Sequence, residues 1–315
     1  MNYYAPVLIM TLDRYEHFRR CVESLSACAD SDKTDLYIAF DYPLKDTHWD
    51  GYKKIENYIE KIQGFKNVHI IKRNVNFGAF KNYFDAQAEI FEKYDRIIIS
   101  EDDNVFAPSF LSFANQGLSA YVNRPDIFSV SGYNYPVSIP SWYRYDAYLI
   151  QAFAGWGVGL WREKWNKVDY TLDSYNSMLS KKENYKKIKQ KYKKYLPGLL
   201  KIRDSGLLTG DYFMFLYLLD KNMYSILPVK TRVRNTGCDA SGVHAGYSSI
   251  HLNQKTYDGL EDIYFPPDLQ PDKQLMDFII RQFKLTFIEK IKGLIPYPVR
   301  MSLRSIIKKR GKILL

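Results

Sequence analysis

Four short apolar runs, at 6–10 (PVLIM), 36–40 (LYIAF), 68–71 (VHII) and 96–100 (RIIIS), are separated by helix-compatible segments at 15–27, 50–63 and 79–93. Runs this short and continuously apolar read as strands buried on both faces, since a half-exposed strand would alternate with polar residues. In the last helical segment Phe80, Phe84, Gln87 and Phe91 fall in phase. Regular strand–helix alternation predicts an α/β fold in which a mostly parallel, Rossmann-like sheet carries helices on both faces. Ligands of such sheets sit beyond the carboxyl ends of the strands, so the loops that follow strands are where chemistry is expected.

The second half is less regular. It contains an aromatic-rich stretch at 133–165, a lysine-rich segment at 181–203, a helical pattern at 210–221, a strand near 224–229 and a loop with several glycines at 235–249. No internal repeat is visible. With 46% hydrophobic and 25% charged residues over 315 positions, the chain has an ordinary globular composition, which excludes fibrous and disordered classes. Charges break every apolar run short of the roughly 18 residues that a membrane-spanning helix needs. Asp13 and Arg14 interrupt the first run, so neither a spanning helix nor a secretory signal is expected. Cys21, Cys28 and Cys238 form no CxxC pair, and free thiols in a reducing cytoplasm are expected.

The net charge of +10 is unevenly placed. Residues 181–203 hold ten basic residues against Glu183, and residues 281–315 hold ten against Glu289. Removing these two +9 segments leaves −8 for the rest, which is not the footprint of a nucleic-acid groove. The lysine-rich segment reads either as a solvated helix face or as a contact for an acidic partner. In the tail, Met276, Ile279, Ile280, Phe283, Phe287 and Ile291 recur at helical spacing, and Val299, Leu303, Ile306 and Ile307 repeat the pattern beyond Pro296 and Pro298. Basic amphipathic segments of this kind lie on anionic bilayers, which places the chain peripherally on the inner face of the cell membrane. The other reading is a helix packed on the domain. Residues 266–315 are therefore set apart as an amphipathic basic tail, and 1–265 as the main domain.

The sharpest chemical signal is Glu101-Asp102-Asp103, directly after the fourth apolar run. Adjacent carboxylates in a ligand crevice repel unless a cation neutralises them. Mn²⁺ or Mg²⁺ suits such a place, since these ions take one or two carboxylates and complete their shell with substrate phosphates. Asn76, before Gly78, stands where a helix N-terminus would meet a polar group of a nucleotide ligand, or else is a turn former.

Residues 5–170, and more loosely to 250, resemble the GT-A glycosyltransferases, specifically N-acetylglucosaminyltransferase I and its relatives. The likeness rests on Pro6-Val7-Leu8-Ile9 followed by Asp13-Arg14 and Arg19-Arg20-Cys21, and on Ser100-Glu101-Asp102-Asp103 followed by Ala107-Pro108-Ser109-Phe110. It implies a GT-A fold with Arg14 and Asp41 on the nucleotide, Glu101 and Asp102 toward base and ribose, and Asp103 on Mn²⁺. Gly155 and Trp156 resemble the family's tryptophan stretch beneath the donor sugar, whereas Trp161 and Trp165 read as core. Asp211 falls where the family carries its catalytic base, although Thr209-Gly210-Asp211 lacks the family's doubled acid with a neighbouring tryptophan; a helix cap is the other reading of Asp211. Arg234 and His244 lie in a loop similar to one near the end of bacterial GT-A domains, Arg234 toward the diphosphate and His244 as a second metal ligand or a surface residue.

The activity implied is metal-dependent, inverting transfer of a hexosyl or N-acetylhexosaminyl group from a nucleotide-sugar donor, with a UDP-sugar favoured, to a glycan or lipid-linked acceptor. Bacterial surface polysaccharide synthesis is the expected setting. A sugar-phosphate nucleotidyltransferase would need a basic glycine-rich loop after the first strand, where Thr11-Leu12-Asp13-Arg14 stands instead. A non-catalytic glycan- or membrane-binding protein is the alternative from another class. HExxH, GxSxG and P-loop motifs are absent.

Overall fold

The computed structural model describes residues 4–239, 248–259 and 263–283. The four apolar runs form β1 (Val7–Thr11), β2 (Asp35–Phe40), β3 (Asn67–Lys72) and β4 (Arg96–Glu101). β1 pairs in parallel with both β2 and β4, and β2 in parallel with β3. The intervening segments form α1 (Tyr15–Ser26), α2 (Trp49–Ile59) and α3 (Gly78–Phe91). α1 buries His17, Phe18, Cys21, Val22 and Leu25, a stripe at helical spacing that closes over β1 and β2.

Two expectations are corrected here. β3 is the edge strand of its sheet, so it is only partly covered, and Ile70 is 40% exposed. In α3 the buried face runs through Asn82, Ala86, Gln87, Ile90 and Phe91, so of the expected row only Gln87 and Phe91 belong to it. Phe80 is 49% exposed and instead packs on Phe84.

The chain continues through β5 (Asn104–Phe106), α4 (Phe110–Ala120), β6 (Ile127–Ser131), β7 (Ala147–Ile150), β8 (Val158–Trp161) and α5 (Arg162–Trp165). Later come β9 (Tyr224–Pro228), β10 (Val233–Asn235) and α10 (Ser249–Leu252). One eight-stranded sheet has the order β3-β2-β1-β4-β8-β6-β9-β7. β8 and β7 run against their neighbours, while β6 and β9 pair in parallel, so the sheet is mostly parallel as expected. β5 and β10 form a separate antiparallel pair just past the end of β4. Lys164 is buried within this unit, 3.6 Å from the Trp161 ring centroid. Its Nζ donates to the carbonyls of Tyr121, Arg124 and Ile127 at 3.3, 2.9 and 2.7 Å. Burial pushes its pKa down to about 8.

The chain divides into two compact units. The first comprises Met1–Ile150, Ala154–Lys167 and Tyr224–Asp272 and holds the whole sheet. The boundary expected at residue 265 falls inside it, close to its last residue. The second, Gln151–Phe153, Val168–Met223 and Lys273–Leu315, is helical where described. It contains α6 (Leu172–Ser180), α7 (Lys182–Gln190), α8 (Leu196–Ser205), α9 (Gly210–Lys221) and α11 (Lys273–Gln282). Its interior is aromatic, with Tyr195 stacked on Phe215 at 3.9 Å between centroids and Tyr170 on Phe213 at 4.1 Å.

The tail requires a correction too. Ile279 and Ile280 of its first apolar stripe are buried in α11 beside Leu275, so this part of the stripe is a packing face and not a membrane face. Phe287, Ile291 and the second stripe lie outside the described residues. No helix among the described residues is long and apolar enough to cross a membrane.

Candidate functional site

The carboxyl ends of β1 and β4 lie side by side because these two strands pair in register, Met10 opposite Glu101. The loop after β1 therefore faces the acidic loop after β4. Its course is fixed by α2: a Cβ on Gly51 would stand 1.8 Å from the Asp13 carbonyl oxygen, so only glycine lets the helix approach this closely. Arg14, at the entry to α1, reaches across and donates to Asp102 Oδ1 and, at 2.7 Å, to Asp103 Oδ2. Thr11 Oγ1 donates to the other Asp102 oxygen at 3.0 Å.

Asp102 and Asp103 are 7% and 5% exposed. Burial pushes the Asp102 carboxyl up from its ordinary range, against the lowering influence of Arg14. Burial alone would lower the Arg14 pKa, but the two aspartates carry it above its usual value. The repulsion that called for a cation is thus met by a guanidinium of the chain itself. Beneath the pair, the Cys21 thiol is raised by burial and then by the two carboxylates, which keeps it an inert thiol.

Asp103 is further held by the segment after β10. Asn235 Nδ2 donates to Asp103 Oδ1 at 2.6 Å, and Thr236 donates to the Asp103 carbonyl through both its backbone N–H and its hydroxyl, each at 2.8 Å. His17, one turn along α1 from Arg14, contacts Thr236 Oγ1 through Nδ1 at 3.2 Å and Asp239 Oδ2 through Nε2 at 3.1 Å. A Cβ on Gly237 would stand 1.9 Å from Asp103 Oδ2, so the backbone forms a cradle against the carboxylate that any side chain would fill.

Glu101, exposed at the mouth, accepts from Trp156 Nε1 at 3.2 Å. The Trp156 ring packs edge-on to Tyr133 and His251 at 4.8 and 5.7 Å, and the Tyr133 hydroxyl meets His251 Nδ1 at 3.1 Å. Gly155 precedes Trp156 in the loop before β8. Trp161 is core, as expected, with its Nε1 donating to the Leu118 carbonyl at 3.0 Å.

Asp41 stands at the end of β2 and is buried. Its Oδ1 accepts from the N–H groups of Phe77 and Tyr42 at 2.8 and 2.9 Å, and its Oδ2 from the Gly78 N–H at 2.9 Å and Asn76 Nδ2 at 3.3 Å. The N-terminus of α3, expected to be open to an anionic ligand, is therefore capped by a carboxylate of the chain. Asn76 also ties Tyr42, donating to its carbonyl at 2.5 Å. Arg234 lies in β10 opposite Val105, and its Nε is buried without a hydrogen-bond partner among the described residues. Asp211 is exposed in the first turn of α9, within the second unit. His244 lies outside the described residues.

The structure thus brings Arg14, Asp102 and Asp103 into direct contact, and adds Thr11, His17, Asn235, Thr236 and Gly237, which sequence reasoning did not single out. The signal for the last three was their adjacency to Arg234 in a loop already marked for its glycines. Nothing in the sequence linked Thr11 or His17 to the acids. Among the described residues no three His, Cys, Asp or Glu side chains converge to hold a metal. Asp103 nevertheless keeps lone pairs free, since a carboxylate offers about four acceptor sites and each of its oxygens is met by a single described donor. With the Gly237 cradle against it, that donor set suits a hard ion of the kind that takes one or two carboxylates and fills its shell from a ligand's phosphates.

No family model matches the sequence, and no curated protein does. Among solved structures, the mannosyltransferase PcManGT from Pyrobaculum calidifontis, in complex with GDP-Man and Mn²⁺, is 12% identical over 70% of each chain, with a TM-score of 0.40. Mouse xyloside xylosyltransferase 1, apo form, is 12% identical over 70% of this chain and 83% of its own, with a TM-score of 0.37. TarS of S. aureus is 10% identical over 41% of this chain, with a TM-score of 0.29; the match spans 21% of the TarS chain.

Proposed function

We propose that the chain is a glycosyltransferase acting on a nucleotide-sugar donor. The observation that supports this reading best is the pairing of Arg14 with Asp102 and Asp103 at the carboxyl ends of adjacent parallel strands, the place where such sheets take nucleotides. Arg14 is positioned to meet donor phosphates as well as the acids. Glu101 and Trp156 form a hydrogen-bonded edge to the same mouth, suited to a sugar with polar rims and apolar CH faces.

A bound Mn²⁺ or Mg²⁺ would be held by Asp103, with His244 as a second ligand, and would supply charge compensation for the leaving diphosphate. Arg14, the cation that bridges the two acids, supports a second version, in which the diphosphate is met by the guanidinium without a metal. Asp211 serves as general base: its carboxylate takes the proton of an acceptor hydroxyl as that oxygen bonds to the anomeric carbon and the bond to the diphosphate breaks, inverting the centre. A glycan or lipid-linked acceptor and a role in surface polysaccharide synthesis complete the proposal.

The test is nucleotide release from a panel of UDP- and GDP-sugars with and without Mn²⁺. At least one donor should turn over, and Asp211→Asn should cut the rate by about 10²–10⁴ while leaving donor affinity near that of the wild type. No turnover and no binding across the panel would remove the transferase reading. Equal turnover with and without metal would select the arginine version.

A further inference from the structure

The lysine-rich segment, whose role the function above does not use, builds a cleft within the second unit. Lys182, Tyr185, Lys186 and Lys189 follow one another at i, i+3, i+4 and i+7 along α7, so they form a single face of that helix. That face lines a cleft of ≈ 930 Å³ together with Leu179 of α6 and Arg203 of α8. Its size is that of a site for a discrete ligand.

Two lysines that flank the cleft in sequence are neutralised within the unit. Lys181 pairs with Asp220 at 2.6 Å and Lys191 with Asp277 at 2.9 Å. Among the described residues no carboxylate lies within ion-pair distance of Lys182, Lys186 or Lys189, and only Arg203 has an acidic partner, Asp204. Unneutralised like charges on one helix face repel, at a cost that an anionic ligand would relieve. Lys189 Nζ lies over the Tyr185 ring, 4.7 Å from its centroid, so this cation covers one face of the ring and a sugar would stack on the other. Inorganic phosphate has no use for the ring, whereas a saccharide stacks its CH face on it.

We infer that this cleft binds an anionic saccharide chain, its carboxylate or phosphate groups on Lys182, Lys186, Lys189 and Arg203 and a sugar ring against Tyr185. The site is independent of the donor chemistry, because binding there needs neither nucleotide nor metal.

The experiment measures binding of the full chain, without donor, to an oligogalacturonate, to a neutral oligosaccharide of equal length, to inorganic phosphate and to phosphatidylglycerol vesicles. The oligogalacturonate should bind, more weakly as salt rises, and the neutral oligosaccharide and phosphate should not. Lys182→Gln, Lys186→Gln and Lys189→Gln together should weaken binding by about tenfold or more, and Tyr185→Leu should weaken it without changing the salt dependence. All four positions are partly or fully exposed, so the fold should survive. The control removes the same charge outside the cleft, at Lys187, Lys193 and Lys201. An equal loss in the control, equal binding of the neutral oligosaccharide, or binding of vesicles but not of the oligogalacturonate would each overturn the assignment.

Discussion

The two units handle charge in opposite ways. In the first, Arg14, Asp102 and Asp103 are drawn from segments nearly ninety residues apart, the two acids are buried, and all three are joined by hydrogen bonds. In the second, Lys182, Lys186 and Lys189 come from one helix and are exposed, with no acidic partner among the described residues. A buried ion pair gains little net stability over an apolar replacement, because desolvation offsets the attraction, but removing one member is costly. What the first arrangement secures is orientation: Asp103 is held by Arg14, Asn235 and Thr236 at once. The exposed lysines secure none, and their value lies in attraction at the surface.

Breaking the buried cluster should have the largest effect. Arg14→Ala leaves two desolvated carboxylates facing each other, and the expected loss is about 3–5 kcal/mol of unfolding free energy by denaturant titration. The gap to wild type should narrow at low pH as the orphaned acids take up protons. A loss below about 1 kcal/mol would mean the pair is solvated like a surface bridge.

Lys164 sharpens the contrast, being a buried cation where those of α7 are exposed. Lys164→Met should cost about 1–3 kcal/mol by leaving the carbonyls of Tyr121, Arg124 and Ile127 without their donor. With its folded pKa pushed down to about 8 from an ordinary 10.5, the unfolded chain binds the extra proton between those values. Wild-type stability relative to Lys164→Met should therefore rise with pH across that window. A pH-independent difference would contradict the depressed value.

Smaller still is Asp41→Ala, which removes the cap of α3 and should cost about 0.5–2 kcal/mol. If nucleotide affinity falls with little change in stability, Asp41 touches the ligand as well as the helix. Lys186→Ala in the exposed stripe should alter stability by no more than about 0.5 kcal/mol, and a larger loss would erase the difference between the units.

Where apolar runs follow one another with helices between, the architecture was legible: β1, β2 and β4 appear at their expected places because burial on both faces leaves no polar positions. β7 and β8 were hidden among aromatic residues, since strands of four residues carry too little periodicity to be read. The acidic loop was visible for its like charges, but not its neutraliser, because ion pairing between residues 14 and 102 depends on strand order and leaves no local trace. The same holds for His17, whose partners Thr236 and Asp239 come from the far end of the unit. Met276, Ile279 and Ile280 of the tail's first stripe lie in a helix as expected, yet periodicity is identical for a helix on a membrane and a helix on a protein.

The proposed function puts a nucleotide diphosphate at the Arg14–Asp102–Asp103 cluster. Isothermal titration of UDP and GDP into the wild type and into Asp103→Asn, each with and without Mn²⁺, tests it most directly. One nucleotide should bind the wild type more tightly with Mn²⁺, and Asp103→Asn should lose that gain while remaining folded by circular dichroism at the titration temperature, although its melting point falls. Absence of nucleotide binding to the folded wild type in any of these conditions would contradict it.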